Sequence, residues 1–218
     1  MPLRTKFLLS SLLIPFSLWG QAGMYGEEGK TFSAALICGT NFAQVDGDSY
    51  YGYHKLGLNA GAAVFAHFTT EFGVSLELLY SQKGSRGVTE TTSPYIGPYF
   101  SKYYMDLNYV EIPLLLHLTS RIVDIEAGAS FAYLIKSDEW ILTDQPVPIS
   151  PIYNSFNTTD IDLTFGLTRQ LYKKLLVNIR YQYSLISVRP PEKIPYGYRY
   201  GNDGQFNNLF NLRLMYVL

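Results

Sequence analysis

The stretch YVEIPLLLHL, residues 109–118, decides the fold, because it combines strict alternation with two residues that a buried strand disfavours. Every second residue is apolar: Val110, Ile112, Leu114, Leu116 and Leu118. This two-residue period predicts a β-strand. The opposite face holds a charge at Glu111 and, at Pro113, a residue without a backbone N–H. The directions in which these two side chains point therefore distinguish the possible β-folds.

Seven further segments alternate in the same way, so the sequence predicts eight strands. The other seven cover about residues 32–42, 56–64, 72–81, 123–133, 160–168, 175–184 and 210–218. Most of them approach the 9–11 residues that a tilted membrane strand requires.

The predicted connections alternate between short and long. Short turns are expected around residues 67–70, 119–121 and 170–174, and long loops over 43–54, 83–104, 136–157 and 187–206. An even number of strands with short turns at one end and long loops at the other is typical of an outer-membrane barrel.

Composition excludes several classes of protein. The 218 residues carry a formal net charge of -1, so no basic surface indicates binding to nucleic acid. A single cysteine, Cys38, excludes an intramolecular disulfide and a CxxC metal site. Charged residues make up only 16% of the chain, below the ~25% of ordinary soluble proteins.

The first 22 residues have the order of a secretory signal peptide. Arg4 and Lys6 precede an apolar stretch that ends near Trp19, and small residues follow. Cleavage is expected after Ala22, with Gly20 as the alternative. The predicted domains are therefore a signal peptide over 1–22 and a β-barrel over 23–218.

The less apolar face separates a membrane barrel from a soluble lipocalin-like barrel. It consists mainly of Gly, Ser, Thr and Asn with one or two charges per strand, whereas a solvated exterior would carry many Lys and Glu. Tyr80, Tyr133, Tyr183 and Tyr216 lie on the apolar face, where an aromatic belt would meet the membrane interface. The sequence therefore predicts an all-β, eight-stranded, antiparallel up-and-down transmembrane barrel. Glu111 and Pro113 then point inward, and Pro113 predicts a bulge or a local break in pairing.

Two segments of the sequence resemble a known family. YVEIPLLLHL is similar to a conserved strand of the PorT-family outer-membrane β-barrel proteins, common in Bacteroidetes, and residues 59–84 resemble the hairpin before it. The resemblance implies an eight-stranded barrel in the outer membrane of a Gram-negative bacterium, and its founding member is associated with protein secretion. The C-terminus, Tyr216-Val217-Leu218, departs from the usual assembly signal because it does not end in an aromatic residue.

The inward face carries a predicted network of charged side chains: Glu77, Glu111, Glu126, Asp162, Arg180 and Arg213. Eight strands leave an interior just wide enough for side chains, so paired charges are expected to fill it. In this interpretation, Arg180 and Arg213 are the only inward bases in the strand cores, so either each contacts more than one carboxylate or some of the acids are protonated. The alternative is a proton or ion path through a narrow pore.

Few residues indicate catalysis or metal binding. The histidines are His54, His67 and His117, and no G-x-S-x-G motif occurs. Asp46 and Asp48 lack the spacing of a calcium-binding loop. We therefore expect no catalytic, metal or cofactor site.

The sequence predicts a non-catalytic envelope scaffold or interaction component, embedded in outer-membrane lipid. Tyrosine-rich loops, SYYGY, SPYIGPYFSKYY and PYGYRYG, are candidate contacts with other envelope proteins. A narrow solute pore is the alternative, and a barrel enzyme with an active site at the rim is a weaker one.

Overall fold

A computed structural model describes residues 31–93, 97–120, 122–144, 156–194 and 203–218. Eight antiparallel strands close into a barrel in which each strand pairs with its neighbours in sequence and β1 pairs with β8. The strands are β1 (Phe32–Asp46), β2 (Lys55–His67), β3 (Phe72–Ser93), β4 (Gly97–Thr119), β5 (Asp124–Thr143), β6 (Thr159–Tyr172), β7 (Leu175–Ser184) and β8 (Phe206–Val217). This confirms the predicted fold class. The predicted signal peptide lies outside the described residues and stays a prediction.

Short connections gather at one end of the barrel, as predicted. They comprise residues 68–71, 120–123 and 173–174. In the last of them Lys173 has a φ of 34°, so its backbone takes the left-handed conformation that a tight turn demands. Among the described residues, no helix is long and apolar enough to cross a membrane.

One predicted long loop is wrong. Residues 83–93 and 97–104 continue β3 and β4 as a ladder that runs to the pair Ser93–Gly97. The sequence of this segment predicts a loop because its polar and charged residues occupy both alternating sets of positions, so neither face would be apolar. Such residues can extend a hairpin beyond the membrane, where neither face has to be apolar. β5 likewise continues to Thr143, inside a second predicted loop.

The ladder between β3 and β4 is interrupted at Pro113. Pairs run from Phe72–Leu118 to Leu76–Leu114, skip two positions, and resume at Leu79–Glu111 in the same register. The missing N–H of Pro113 therefore produces a local break in pairing and no bulge between these strands.

A register shift in β5 changes which side chains point inward. Asn108 pairs with Lys136 and Tyr109 pairs with Leu134, so Ile135 has no partner on β4. Such a bulge exchanges the two faces of a strand. Glu139, beyond the bulge, consequently points into the barrel.

The outer surface of the barrel is apolar. Leu76, Leu114, Phe131, Leu163 and Leu214 are each about half exposed, as expected of side chains that face lipid. Tyr133 and Tyr216 are half exposed on the same outer face. The interior is polar, and Glu111 is fully buried within it.

Candidate functional site

An apolar group, here called the floor, fills part of the interior toward the short-turn end. It consists of Ala35, Ile37, Ala63, Phe65, Leu79, Leu176, Met215 and Val217. All eight side chains are nearly inaccessible to solvent. The charged side chains of the interior are themselves at most 2% exposed, so the described part of the interior is filled rather than open.

Four charged residues form the arginine–glutamate cluster: Glu77, Glu126, Arg180 and Arg213. Arg180 donates two parallel hydrogen bonds to Glu77, of 2.8 and 3.0 Å, and a third from Nε to Glu126 Oε1 of 2.7 Å. Arg213 Nη1 lies 2.9 Å from Glu77 Oε2, and its Nη2 lies 3.7 Å from Glu126. Planar guanidinium groups suit such bidentate pairing with carboxylates.

Neutral side chains complete this cluster. Arg213 Nε donates to Asn178 Oδ1 at 2.8 Å, and Asn178 Nδ2 donates to Thr168 Oγ1 at 2.7 Å. Two carboxylates face two guanidinium groups, so formal charge balances within a site that is at most 2% exposed. A buried charge is tolerated when it is both paired and hydrogen-bonded, and this cluster meets both conditions.

The other two predicted residues, Glu111 and Asp162, do not contact the arginines. They belong to a second group, the lysine–carboxylate cluster, with Lys83 and Asp160. Lys83 Nζ lies 2.6 Å from Glu111 Oε1, 2.6 Å from Asp162 Oδ2 and 3.9 Å from Asp160 Oδ2. The prediction that Arg180 and Arg213 are the only inward bases is therefore wrong. Lys83 was missed because it stands where the pattern predicted a loop to begin.

Hydrogen bonds satisfy only part of the lysine–carboxylate cluster. Ser184 Oγ donates to Asp160 at 2.7 Å, Asn207 Nδ2 donates to Asp160 at 2.9 Å, and the Tyr109 ring lies 5.0 Å from Lys83 Nζ. Glu111 Oε2 and Asp160 Oδ1 have no hydrogen-bond partner among the described residues. Three carboxylates thus share one ammonium group, and formal negative charge is in excess.

A second apolar group, here called the cap, lies toward the opposite end of the interior. Its apolar members are Val45, Tyr50, Tyr103, Met105, Leu107, Tyr109 and Ala132. Tyr50 and Tyr103 stack with ring centroids 4.8 Å apart. A Cβ at Gly87 would lie 2.0 Å from Tyr50 Cδ1, so this stack requires glycine at that position.

An ion pair lies beside the cap. Arg189 donates to both oxygens of Glu139, at 2.8 and 2.9 Å, and Tyr103 donates its hydroxyl to the same carboxylate. Sequence reasoning missed both partners. Glu139 points inward only because of the bulge at Ile135, and Arg189 lies outside the strands, where it forms an isolated bridge with Gln205.

The loop between β1 and β2 lies against the cap and carries a perturbed carboxyl group. Burial raises the pKa of Asp48 to about 7, although hydrogen bonds from Ser85 and from the Tyr50 amide favour the carboxylate. Asp46 accepts hydrogen bonds from Gln44 and Asn208. Among the described residues, no group of three or more His, Cys, Asp and Glu side chains is arranged to hold a metal ion.

Two histidines contact serines at the short-turn end. His67 Nε2 lies 2.8 Å from Ser33 Oγ, and His117 Nε2 lies 2.7 Å from Ser75 Oγ. His117 Nδ1 is 4.0 Å from Glu126 Oε2 and has no hydrogen-bond partner among the described residues, so the Ser–His–Glu order that hydrolases use lacks its histidine–carboxylate hydrogen bond here. Ser75, His117 and Glu126 are each only 1% exposed, so no substrate reaches them in this conformation.

From the level of the cap outward, three strands continue as the extracellular extension. It consists of residues 86–93 of β3, 97–104 of β4 and 140–143 of β5, and the inward side chain of Tyr103 belongs to the cap. Its outward face carries Trp140 stacked on Tyr104, with ring centroids 5.1 Å apart, and Arg86 at 5.4 Å from the Tyr104 ring. A groove of about 660 Å³ separates this extension from the β1–β2 loop.

The fold, the lipid-facing surface and the buried polar interior define a transmembrane β-barrel. Residues 25–189 match the family model described as outer membrane protein beta-barrel domain, which covers more than half of the chain. The chain belongs to this family, and its location is the outer membrane of a Gram-negative bacterium.

Comparison with solved structures gives distant similarities. The crystal structure of Ail, the attachment invasion locus protein of Yersinia pestis, is 12% identical, with a TM-score of 0.46. The match covers 87% of this chain and 100% of that one. Ail in complex with the heparin analogue sucrose octasulfate is 13% identical, with the same coverage and a TM-score of 0.42. No curated protein matches the sequence.

Proposed function

We propose that this protein is a non-catalytic, non-conducting outer-membrane barrel that acts as an interaction component of the cell envelope. The observation that carries the proposal is the filled interior. Inside the barrel, Glu77, Lys83, Glu111, Arg180 and Arg213 are each at most 2% exposed. A barrel of this kind offers its extracellular end, rather than its lumen, for function.

Conductance in planar bilayers tests the filled interior. The purified barrel should give no stable unitary current in concentrated salt, because an ion would have to displace paired and buried charges. The double variant Glu77→Ala/Arg180→Ala serves as the matched control, since it removes the central pair of the arginine–glutamate cluster. A reproducible wild-type conductance that scales with salt would establish the narrow pore instead.

The alternative that the protein is an enzyme can be tested at the Ser–His–Glu arrangement. A fluorophosphonate probe, which labels activated serines, should not modify Ser75 in the folded barrel, because Ser75 is 1% exposed. Labelling that disappears in Ser75→Ala and in His117→Ala would contradict the non-catalytic assignment.

The resemblance to the PorT family supports a place for the protein beside the protein-secretion machinery. Tyrosine-rich segments at the extracellular end would supply contacts with other envelope proteins. Residues 49–51 of the first segment and 102–104 of the second line the groove. Residues 94–96 and the whole of PYGYRYG lie outside the described residues. Crosslinking from Tyr51 in intact cells, followed by identification of the captured chains, tests this role against that of an isolated scaffold.

A further inference from the structure

Among the described residues, one edge of the extracellular extension has no neighbouring strand. The ladder between β2 and β3 ends at the pair Asn59–Ser81, whereas the ladder between β3 and β4 continues to Ser93–Gly97. Within the described chain, no strand pairs with β3 beyond Ser81 on the side of β2. An unpaired edge presents main-chain donors and acceptors that can template another strand.

Hydrogen bonds fix which residues of β3 present their main chain at this edge. The carbonyl of Phe100 on β4 accepts a hydrogen bond from the Asp144 amide, so it points toward β5 and away from β3. Phe100 pairs with Glu90, whose N–H and C=O therefore point away from β4. Backbone N–H and C=O groups of successive residues point to opposite sides of a strand. Val88 and Arg86, two and four residues from Glu90, therefore also present their main chains at the free edge.

The groove beside this edge is basic and aromatic. Its lining includes Ser49, Tyr51, His54, Arg86, Lys102 and Tyr104. No carboxylate is among the described residues that line it. Arg86 is 3.7 Å from Asp106, and its Nε has no hydrogen-bond partner among the described residues. Such a lining suits an acidic ligand, because guanidinium and ammonium groups bind carboxylates through charge-assisted hydrogen bonds.

We propose that the edge of β3 over residues 86–90 binds an extended, acidic segment of a partner polypeptide by β-strand addition. The partner's main chain would pair with Arg86, Val88 and Glu90, and its carboxylates would contact Arg86 and Lys102. A free ladder favours a polypeptide over a glycan, since a glycan cannot continue a β-sheet. The inference rests on the proposed role as an interaction component and names the kind of partner.

Three variants distinguish the contribution of main-chain pairing at the edge from that of charge attraction. Val88→Pro removes an N–H that points away from β4, so it leaves the β3–β4 ladder intact. Val88→Ala retains that N–H and is the matched control. Arg86→Ala/Lys102→Ala removes the positive charge and leaves the edge unpaired.

The experiment measures binding of a short capped peptide of alternating glutamate and valine to the full barrel in nanodiscs. The wild type and Val88→Ala should bind it, and Val88→Pro should bind at least about tenfold more weakly, because an edge hydrogen bond is lost. The double charge variant should weaken binding and reduce its dependence on salt. A peptide with lysine in place of glutamate, and one N-methylated at alternate amides, should not bind.

Three results would overturn the inference: no binding of the acidic peptide by the wild type, equal binding by Val88→Pro and Val88→Ala, or binding of a sulfated oligosaccharide but not of the peptide. These results are independent of the bilayer recordings. A silent bilayer with no peptide binding would remove this inference and leave the filled lumen in place. A barrel that conducts ions and binds the peptide would contradict the filled lumen and support this inference.

Discussion

The two charged clusters inside the barrel differ in how their charges are compensated. In the arginine–glutamate cluster, Glu77 accepts hydrogen bonds from both Arg180 and Arg213. In the lysine–carboxylate cluster, Glu111, Asp160 and Asp162 all lie within 3.9 Å of Lys83. The first cluster is balanced in formal charge, whereas the second holds two more carboxylates than bases. Substitution of similar residues in the two clusters should therefore have different consequences.

The largest expected effect follows from removing Lys83. Lys83→Met leaves three buried carboxylates without a base, and breaking a buried ion pair by removal of one partner costs about 3–5 kcal/mol. We expect a loss of unfolding free energy at or above the top of this range. Urea unfolding in detergent measures it, with Lys102→Met on the extension as the control.

Acid should relieve the defect in Lys83→Met, because protonation removes the uncompensated negative charge. A destabilisation no larger than that of Lys102→Met would show that Lys83 does not compensate these carboxylates in the folded protein.

Arg180→Leu should have the next largest effect. It removes three hydrogen bonds to Glu77 and Glu126 but leaves Arg213 beside both carboxylates. The expected loss is about 3–5 kcal/mol. Arg86→Leu, at a side chain that is 41% exposed, is the control. Equal urea midpoints for the two variants would contradict the arginine–glutamate cluster.

The sequence predicted the strands and the inward face, and the difficulties arose where the two-residue period changes. Glu77, Glu111 and Arg180 were placed inward because their neighbours alternate without interruption. Lys83 was missed where the outward face loses its apolar residues above the membrane, so the strand continues without a hydrophobic signal. Glu139 could not be assigned, since the bulge at Ile135 exchanges the two faces of β5. Which carboxylate contacts which base depends on the stagger of the strands around the barrel, and a single sequence does not contain that information.

Asp48 should produce the smallest effect. Its pKa in the folded protein, about 7, lies above the usual value of 3.8, so the folded loop retains a proton that the unfolded chain releases. Loop stability is then greatest below the unfolded pKa and falls as pH rises from about 4 to about 7. Hydrogen exchange of residues 47–54 should accelerate over that range in the wild type.

Asp48→Asn imitates the protonated side chain and should remove this pH dependence. Asp203→Asn, in another connection, serves as the control and should retain it. Exchange in the wild type that does not change with pH, beyond the intrinsic chemical rate, would contradict the raised pKa of Asp48.

The most direct test of the difference between the clusters compares Glu77→Gln with Glu111→Gln. Both substitutions keep the size of the side chain and remove one negative charge from a fully buried site. Glu77→Gln leaves two guanidinium groups facing one carboxylate, so it should lower the unfolding free energy by about 3 kcal/mol or more. Glu111→Gln leaves two carboxylates beside Lys83 and should change stability by less than about 1 kcal/mol, in either direction. Urea unfolding of the two variants in one detergent should therefore give well-separated midpoints, with Glu111→Gln close to the wild type. Coincident midpoints, or a larger loss in Glu111→Gln, would contradict the account.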